Sequence, residues 1–310
     1  MVYPVVAKPT LFQSLAVDMV ALYCDLDDFY QRFAPTWQRP LLPAPGRHRQ
    51  RARCLSLSEV MTLVIAFQDS DYRTFKHFYL REVCPHWRAE FPHLVSYQRL
   101  IEYLPAVLVP VAAYLETRLG RTRGIAFVDS LPLAVCHNRR IYSHQGFADL
   151  AQRGKSSMGW FYGFKLHLVI NDQGDWLALR LTAGNVDDRT PVPSLAEGLW
   201  GKRFGDRGYM SQELFEQLGG SGLQLITKLK RNMRNKLLPL WDKLLLRKRA
   251  LIESVGEQLK HVCQIGHTRH RSVYNAFVHT FAALAAYTWQ EQKPSLHLTD
   301  EEQTLLAEAF

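Results

Sequence analysis

Three acidic residues stand apart by their surroundings. Asp129 closes the apolar run 125–128, Asp206 follows Arg203 and Phe204 in the segment GDRGY, and Glu253 lies in a helical stretch, RALIESVGEQLK. Open α/β sheets gather their reactive groups at strand ends, where the first two acids are expected. Oxygen ligands from two or three carboxylates suit two Mg2+ ions, with Mn2+ as substitute, because hard cations keep part of their water and accept phosphate oxygens. Metal-assisted reaction at a phosphodiester is the chemistry such a set can support.

Each acid also has an ordinary reading. A strand-end Asp caps a turn more often than it binds metal, and GDRG makes a good turn unaided. Helix geometry says more about Glu253. At about 100° per residue, Arg249, Glu253 and Lys260 fall within roughly 40° of one another. Ile252, Val255, Leu259 and Val262 form a separate apolar arc expected to pack on a sheet. Glu253 therefore lies between two cations, with Gly256 leaving room beside it and Glu257 further round towards solvent. Alone, R-x3-E-x6-K is also the pattern of a salt-bridged surface helix. The order Asp, Asp, Glu, two on strand ends and one on a late helix with basic neighbours, separates this set from chance.

The elements that must position these acids follow from periodicity. The apolar run before Asp129 is continued by LPLAV, and the runs 162–170 and 176–181 are strand-like, joined by the turn signal NDQGD. Residues 190–199 read as a short helix, 211–218 as a helix ending at Gly219-Gly220, 223–229 as a buried strand, and 247–262 as one long helix. This order makes an α/β fold with a mixed sheet. Residues 11–119 read instead as helical. Ser56 and Glu59 form a capping box, and Val60, Leu63, Val64 and Phe67 recur at helical spacing behind it. Two further short helices are expected at 72–83 and 97–104, and the last twenty residues read as a polar, acidic, weakly ordered tail. The expected organisation is a helical region over 1–120, an α/β unit over 121–290 and a tail over 291–310.

With 310 residues, 47% hydrophobic and 22% charged, the chain has the composition of an ordinary globular protein. A net charge of +9 favours a polyanionic partner. The five cysteines are scattered with no C-x-x-C pair, which argues against a zinc ribbon or a disulfide framework and for a reducing, cytoplasmic setting. No signal peptide is legible, and the longest apolar run, 104–115, is short and carries Pro105 and Pro110, so no membrane partner is expected.

At the three acids the sequence resembles the bacterial insertion-sequence transposases of the DDE type, whose catalytic domain has the RNase H-like fold. The likeness spans roughly residues 120–290 and rests on FVDS, YGFKLHL, GNVDDR, GDRGY and the Glu253 helix. The family's second acid commonly appears as D-x-G-[YF], met by Asp206, Gly208 and Tyr209. Its third appears within Y-x2-R-x3-E-x6-K, met by Arg249, Glu253 and Lys260, with Leu246 standing where the Tyr belongs. Little sequence separates Asp206 from Glu253, so the resemblance implies a compact member without a large insertion. It also implies binding to the double-stranded DNA of the element's ends and target. Hydrolysis followed by strand transfer, in a homodimer or larger complex associated with the bacterial nucleoid, completes that picture. A nuclease of the same fold that cuts without joining, and an inactive DNA-binding protein, are the alternatives.

Several other residues bear on DNA. The stretch 228–249 holds Lys228, Lys230, Arg231, Arg234, Lys236, Lys243, Arg247, Lys248 and Arg249 against Asp242 alone, and reads either as a solvated charge run or as phosphate contacts. The Pro-rich basic run PLLPAPGRHRQRAR reads either as a linker or as a backbone contact. Lys165 and His167 alternate on one strand and should share a side, as auxiliaries of the acids. Asp188 is expected as a helix N-cap or as a group supporting the site. Residues 72–104 could hold a helix-turn-helix with Gln98 and Arg99 near the start of its second helix, or a plain bundle. Trp160 and Phe161 are expected in the core, with base stacking as the other possibility.

Overall fold

The computed structural model of the chain describes residues 18–37, 53–220, 222–227, 239–266, 270–299 and 302. Lys228, Lys230, Arg231, Arg234 and Lys236 lie outside the described residues, as do nearly all of the Pro-rich basic run and residues 303–310.

The first half is helical, as its periodicity requires. Its helices are α1 (Met19–Trp37), α2 (Leu57–Gln68), α3 (Phe75–Phe78), α4 (Cys84–His86), α5 (Tyr97–Tyr103) and α6 (Leu108–Thr117). A π-helical turn joins α3 to α4 and a 3-10 turn joins α5 to α6. The capping box forms at α2: Ser56 N donates to Glu59 Oε2 at 2.6 Å and Glu59 N to Ser56 Oγ at 3.1 Å. Ten residues separate α4 from α5, so this pair lacks the three- or four-residue turn of a helix-turn-helix. The stretch Tyr97–Thr117 is long and apolar enough to cross a bilayer, yet it breaks at Pro105 and buries Leu100, Leu104, Val107 and Val111 among the other helices.

The second half builds a mixed sheet of six strands: β1 (Ile125–Cys136), β2 (Gln152–Ser156), β3 (Gly159–Asn171), β4 (Trp176–Ala183), β5 (Gly201–Gly205) and β6 (Leu223–Thr227). β1, β3 and β4 form an antiparallel meander, and β5 and β6 lie parallel to β1 on its other side. The crossovers carry α7 (Val192–Leu195) and α8 (Gln212–Gly219), after which come α9 (Leu240–Lys248), α10 (Ala250–His261) and α11 (Val273–Thr288). Three antiparallel strands followed by two parallel ones make the mixed α/β sheet expected from the periodicity, in the RNase H-like order that the family resemblance implies.

Four local expectations change. β1 does not end at Asp129 but runs on to Cys136. β5 pairs only as far as Phe127, so the far half of β1 is an edge where the N–H that Pro132 lacks costs no ladder bond. β2, unforeseen, pairs with the first part of β3 on the edge that β4 takes further along. The helix expected at 247–262 is two helices meeting at Arg249. Val262 lies beyond the second and is exposed rather than on the apolar arc, whereas Ile252, Val255 and Leu259 are buried.

α11 was not legible as an element, and it is central. Twelve of its sixteen residues are buried, and it packs against α2 and α6. One continuous core joins these helices, α10 and the sheet face carrying Leu131, Leu133, Phe164 and Leu166. A smaller core lies on the other face, where Val128, Val169 and Leu177 meet Leu214 and Leu218 of α8. The helical layer is thus drawn from both ends of the chain. Residues 291–299 are strapped down rather than loose: Lys293 Nζ meets Asp175 Oδ1 at 2.8 Å, and Leu296 N donates to Asp172 O at 2.8 Å. The strap crosses Gly174 (φ +76°), where a Cβ would stand 2.3 Å from Pro294 O.

Candidate active site

The parallel pairing of β1 with β5 ends at Phe127↔Phe204. Two residues further along each chain stand Asp129 and Asp206, at matching positions on neighbouring strand paths, whose spacing is about 4.8 Å. Asp129 has the parity of Phe127 and Leu131, and so faces the larger core, against which α10 packs. α10 brings Glu253 to the same place. Its buried Ile252, Val255 and Leu259 fix its rotation and leave Glu253 exposed on the other side.

Arg249, at the joint between α9 and α10, ties two of the acids together. Its Nη1 meets Asp129 Oδ2 at 3.4 Å and its Nη2 forms a close pair with Glu253 Oε1. Asp129 Oδ1 accepts from Ser130 N at 2.9 Å. Burial pushes the Asp129 carboxyl above its ordinary range, Arg249 and the Ser130 N–H pull it down, and the charges of Asp206 and Glu253 push it up again. Asp129 therefore lies within electrostatic reach of both other acids and of the one guanidinium that opposes them.

Asp206 leads a 3-10 turn, Arg207–Tyr209, without spending its side chain as a cap. Tyr209 explains the turn's sequence, since its ring is buried in the smaller core while Asp206, Arg207 and Gly208 are exposed. Burial and the charges of Asp129 and Asp188 push the Tyr209 phenol far up, so it stays protonated. Gly208 has open space where a Cβ would stand and no positive φ, so it leaves room beside Asp206 rather than relieving strain.

The acids share a cleft of about 510 Å³, also lined by Lys155, Met158, Phe161, Lys165, Asp188, Arg249, Gly256, Glu257 and Lys260. A larger depression of about 740 Å³ beside β4, α7 and α8 has Glu197 as its only carboxylate, so size alone does not select the site. At Gly256 a Cβ would meet nothing within 4 Å, which is the room the helix wheel called for.

The supporting residues divide. Lys165 reaches the cleft, where its Nζ meets Asp188 Oδ1 at 3.0 Å and donates to Val186 O at 2.8 Å. Asp188 is therefore not an N-cap: it faces the cleft, and the cap position of α7 is Pro191, with no side-chain cap. His167 is buried outside the cleft lining, bonded to Thr182 Oγ1 at 2.8 Å, and burial pushes its imidazole down to about 4. Lys260 lines the cleft, but its Nζ goes to Glu257 at 2.8 Å rather than to Glu253. Arg247 and Lys248 are exposed in the last turn of α9, and Leu246 is buried in the core. Gln98 and Arg99 are exposed on α5, where Arg99 pairs with Glu102 at 2.6 Å. Phe161 is buried, as expected, but Trp160 is 64% exposed. Sequence reading missed Lys155 and Met158, because β2 itself was not foreseen.

The donor chemistry fits a hard divalent cation, for all three acids are oxygen ligands with excess negative charge. Among the described residues no group of three or more His, Cys, Asp or Glu stands close enough to hold a metal ion by itself, so the acids as placed would need water or phosphate oxygens to complete a shell. An open site that leaves much of the coordination shell to water is what Mg2+ favours.

Residues 119–273, half of the chain, match the family model described as the transposase DDE domain. A search of curated proteins found no match. Among solved structures the chain is similar to a piggyBac transposase in a synaptic complex with hairpin DNA, at 9% identity and a TM-score of 0.42, covering 93% of this chain and 82% of that one. It is also similar to Mos1 transposase in a paired-end complex with the left transposon end, at 11% identity and a TM-score of 0.26, covering 86% and 84%.

Proposed function

The chain belongs to the DDE transposase family, and from that premise we propose that it is an insertion-sequence transposase whose catalytic acids are Asp129, Asp206 and Glu253. The observation that carries this reading is the meeting of the three acids: Arg249 contacts Asp129 and Glu253 together, and Asp206, just past the end of the neighbouring strand, lines the same cleft. Divalent ions, Mg2+ or Mn2+, when bound there would supply Lewis-acid assistance to cleavage of a phosphodiester. The three carboxylates would hold them.

The protein's own groups do the rest. Arg249 keeps Asp129 and Glu253 side by side, and the buried Tyr209 ring fixes the turn that presents Asp206. Lys165 fixes Asp188 at the cleft wall. Lys155, Lys260, Arg247 and Lys248 offset phosphate charge along double-stranded DNA, joined by Lys228, Lys230, Arg231, Arg234 and Lys236 from the segment beyond β6. Residues 1–120, with Gln98 and Arg99, would recognise the element's ends, residues 121–290 would cut and join, and 291–310 would be a polar, acidic tail. A homodimer or larger assembly would pair two ends, in the bacterial cytoplasm at the nucleoid.

The test is incubation of the purified chain with labelled DNA carrying the element's terminal repeats and Mg2+ or Mn2+. Joined products support the transposase. Cuts without joining would make the chain a nuclease, and binding alone would make it a DNA-binding protein.

A further inference from the structure

The helix α9 turns a mixed face to solvent. Asp242, Leu245 and Leu246 share one arc of its wheel and are all buried, with Asp242 Oδ1 3.0 Å from Lys202 Nζ. The opposite arc carries Leu240, Trp241 and Leu244, which are 73%, 41% and 39% exposed. Lys243, Arg247 and Lys248 frame them, also exposed. Among the described residues none of these three cations makes a side-chain hydrogen bond or ion pair. Three large apolar groups on one stripe exceed the scattered singles of an ordinary surface. DNA phosphates would meet the cations but leave that stripe uncovered. The face fits an acidic partner with an apolar stripe of its own.

The chain itself supplies one. Glu302 N donates to Thr299 Oγ1 at 3.2 Å, and Thr299 N donates to Glu302 Oε2 at 2.9 Å. This reciprocal box is a helix start, and Asp300, Glu301 and Glu302 suit the first turn, where the helix dipole favours acids. Residues 303–310 lie outside the described residues, but their sequence, QTLLAEAF, holds no helix breaker. At about 100° per residue Leu305, Leu306, Ala309 and Phe310 would share one side, with Asp300, Glu301 and Glu308 on the other.

The reach is short. Leu296 N donates to Asp172 O at 2.8 Å, just past β3. The pairs Asn171↔Ala126 and Ala126↔Arg203 then lead across two strand spacings, about 10 Å, to β5, where Lys202 holds Asp242 of α9. Leu296 and Leu298 pack on the same larger core as Leu245 and Leu246, so both segments lie on one face of the sheet. Eleven helical residues extend about 16 Å, enough to cross that gap.

We propose that residues 300–310 form an acidic helix that docks on the outward face of α9. Leu305, Leu306 and Phe310 cover Leu240, Trp241 and Leu244, and the tail's acids lie beside Lys243, Arg247 and Lys248. Resting on the transposase reading, the contact masks Arg247 and Lys248, two cations that would meet DNA immediately before Arg249 of the cleft. The tail therefore competes with DNA and holds the chain in check until DNA displaces it.

The test uses the full chain carrying Leu305→Ser and Phe310→Ser, which keeps every charge and loses the docking stripe. This variant should bind a labelled DNA duplex about tenfold tighter than wild type, as for a tail docked about nine-tenths of the time. A peptide of residues 299–310 with the wild-type sequence, added to the variant, should restore the weaker binding. The same peptide, labelled, should bind the variant directly, and at least about tenfold more weakly once Leu244→Gln is added. Unchanged DNA affinity in the variant, or peptide binding indifferent to Leu244→Gln, would overturn the proposal. A fall in oligomeric mass in the variant would place the tail on a second copy and also overturn it. If wild type and variant alike bound no DNA, the transposase reading would fail, while the peptide titration would still decide the docking.

Discussion

Lowering the pH should loosen the joint between α11 and the N-terminal helices, and two histidines set the size of the effect. His279 is packed edge-on against the rings of Phe67 and Phe75, with centroids 5.6 and 5.1 Å away, and its Nδ1 accepts from Gln68 Nε2 at 2.8 Å. His270 stacks on it at 4.5 Å. Burial pushes the His270 imidazole down to about 4, and burial together with the His270 charge holds His279 well below its ordinary value. Both are therefore neutral in the folded state and take up protons near 6.5 once unfolded. Such groups stabilise the fold fully above about pH 6.5, and the contribution is lost as pH falls towards 4. By linkage, His270 alone should cost about 2 kcal/mol at pH 5 relative to pH 7.5. His279 and His167 act in the same direction, whereas Asp187, held down to about 2 by Arg189, titrates below this window. Urea unfolding at both pH values, on wild type and on His270→Gln, measures the difference. The variant should lose about 2 kcal/mol less stability between pH 7.5 and pH 5 than wild type does. Equal losses in the two proteins would refute the reasoning.

Three further outcomes follow from packing. Gly154→Ala drives a Cβ into Gly184 O and the Phe161 ring, and should cost about 1–3 kcal/mol or more, seen as a fall in Tm. Ser56→Ala removes half of the capping box and should cost about 1 kcal/mol in denaturant unfolding. Tyr287→Phe deletes the bond from the Tyr287 hydroxyl to Gly174 O, 2.9 Å long and buried, and should cost about 1 kcal/mol or slightly more.

The sheet, and the gathering of Asp129, Asp206 and Glu253 in one cleft, were legible in the sequence because their signals are local. The apolar run before Asp129, the NDQGD turn and the D-x-G-Y segment each determine a conformation within a few residues. The wheel around Glu253 was half right, since Arg249 engages Glu253 but Lys260 turns to Glu257, a choice between two acids that angular position cannot make. α11 escaped because periodicity detects a helix with one apolar stripe, and this one is apolar on nearly every side. β2 escaped because QRGKS has no apolar alternation; it is a strand only because β3 offers it an edge. The exposure of Trp160 depends on that same unforeseen pairing, so no local pattern could separate it from the buried Phe161.

The central claim, that Asp129, Asp206 and Glu253 form one phosphodiester-cleaving site, is tested most directly by Asp129→Asn, Asp206→Asn and Glu253→Gln. Each variant is assayed for Mg2+-dependent cleavage of element-end DNA, with binding to the same DNA measured alongside. Each should cut at least about a thousandfold more slowly than wild type, a loss of roughly 4 kcal/mol of transition-state stabilisation, while binding DNA within a few-fold of it. Wild-type cleavage by any one of the three would contradict the account.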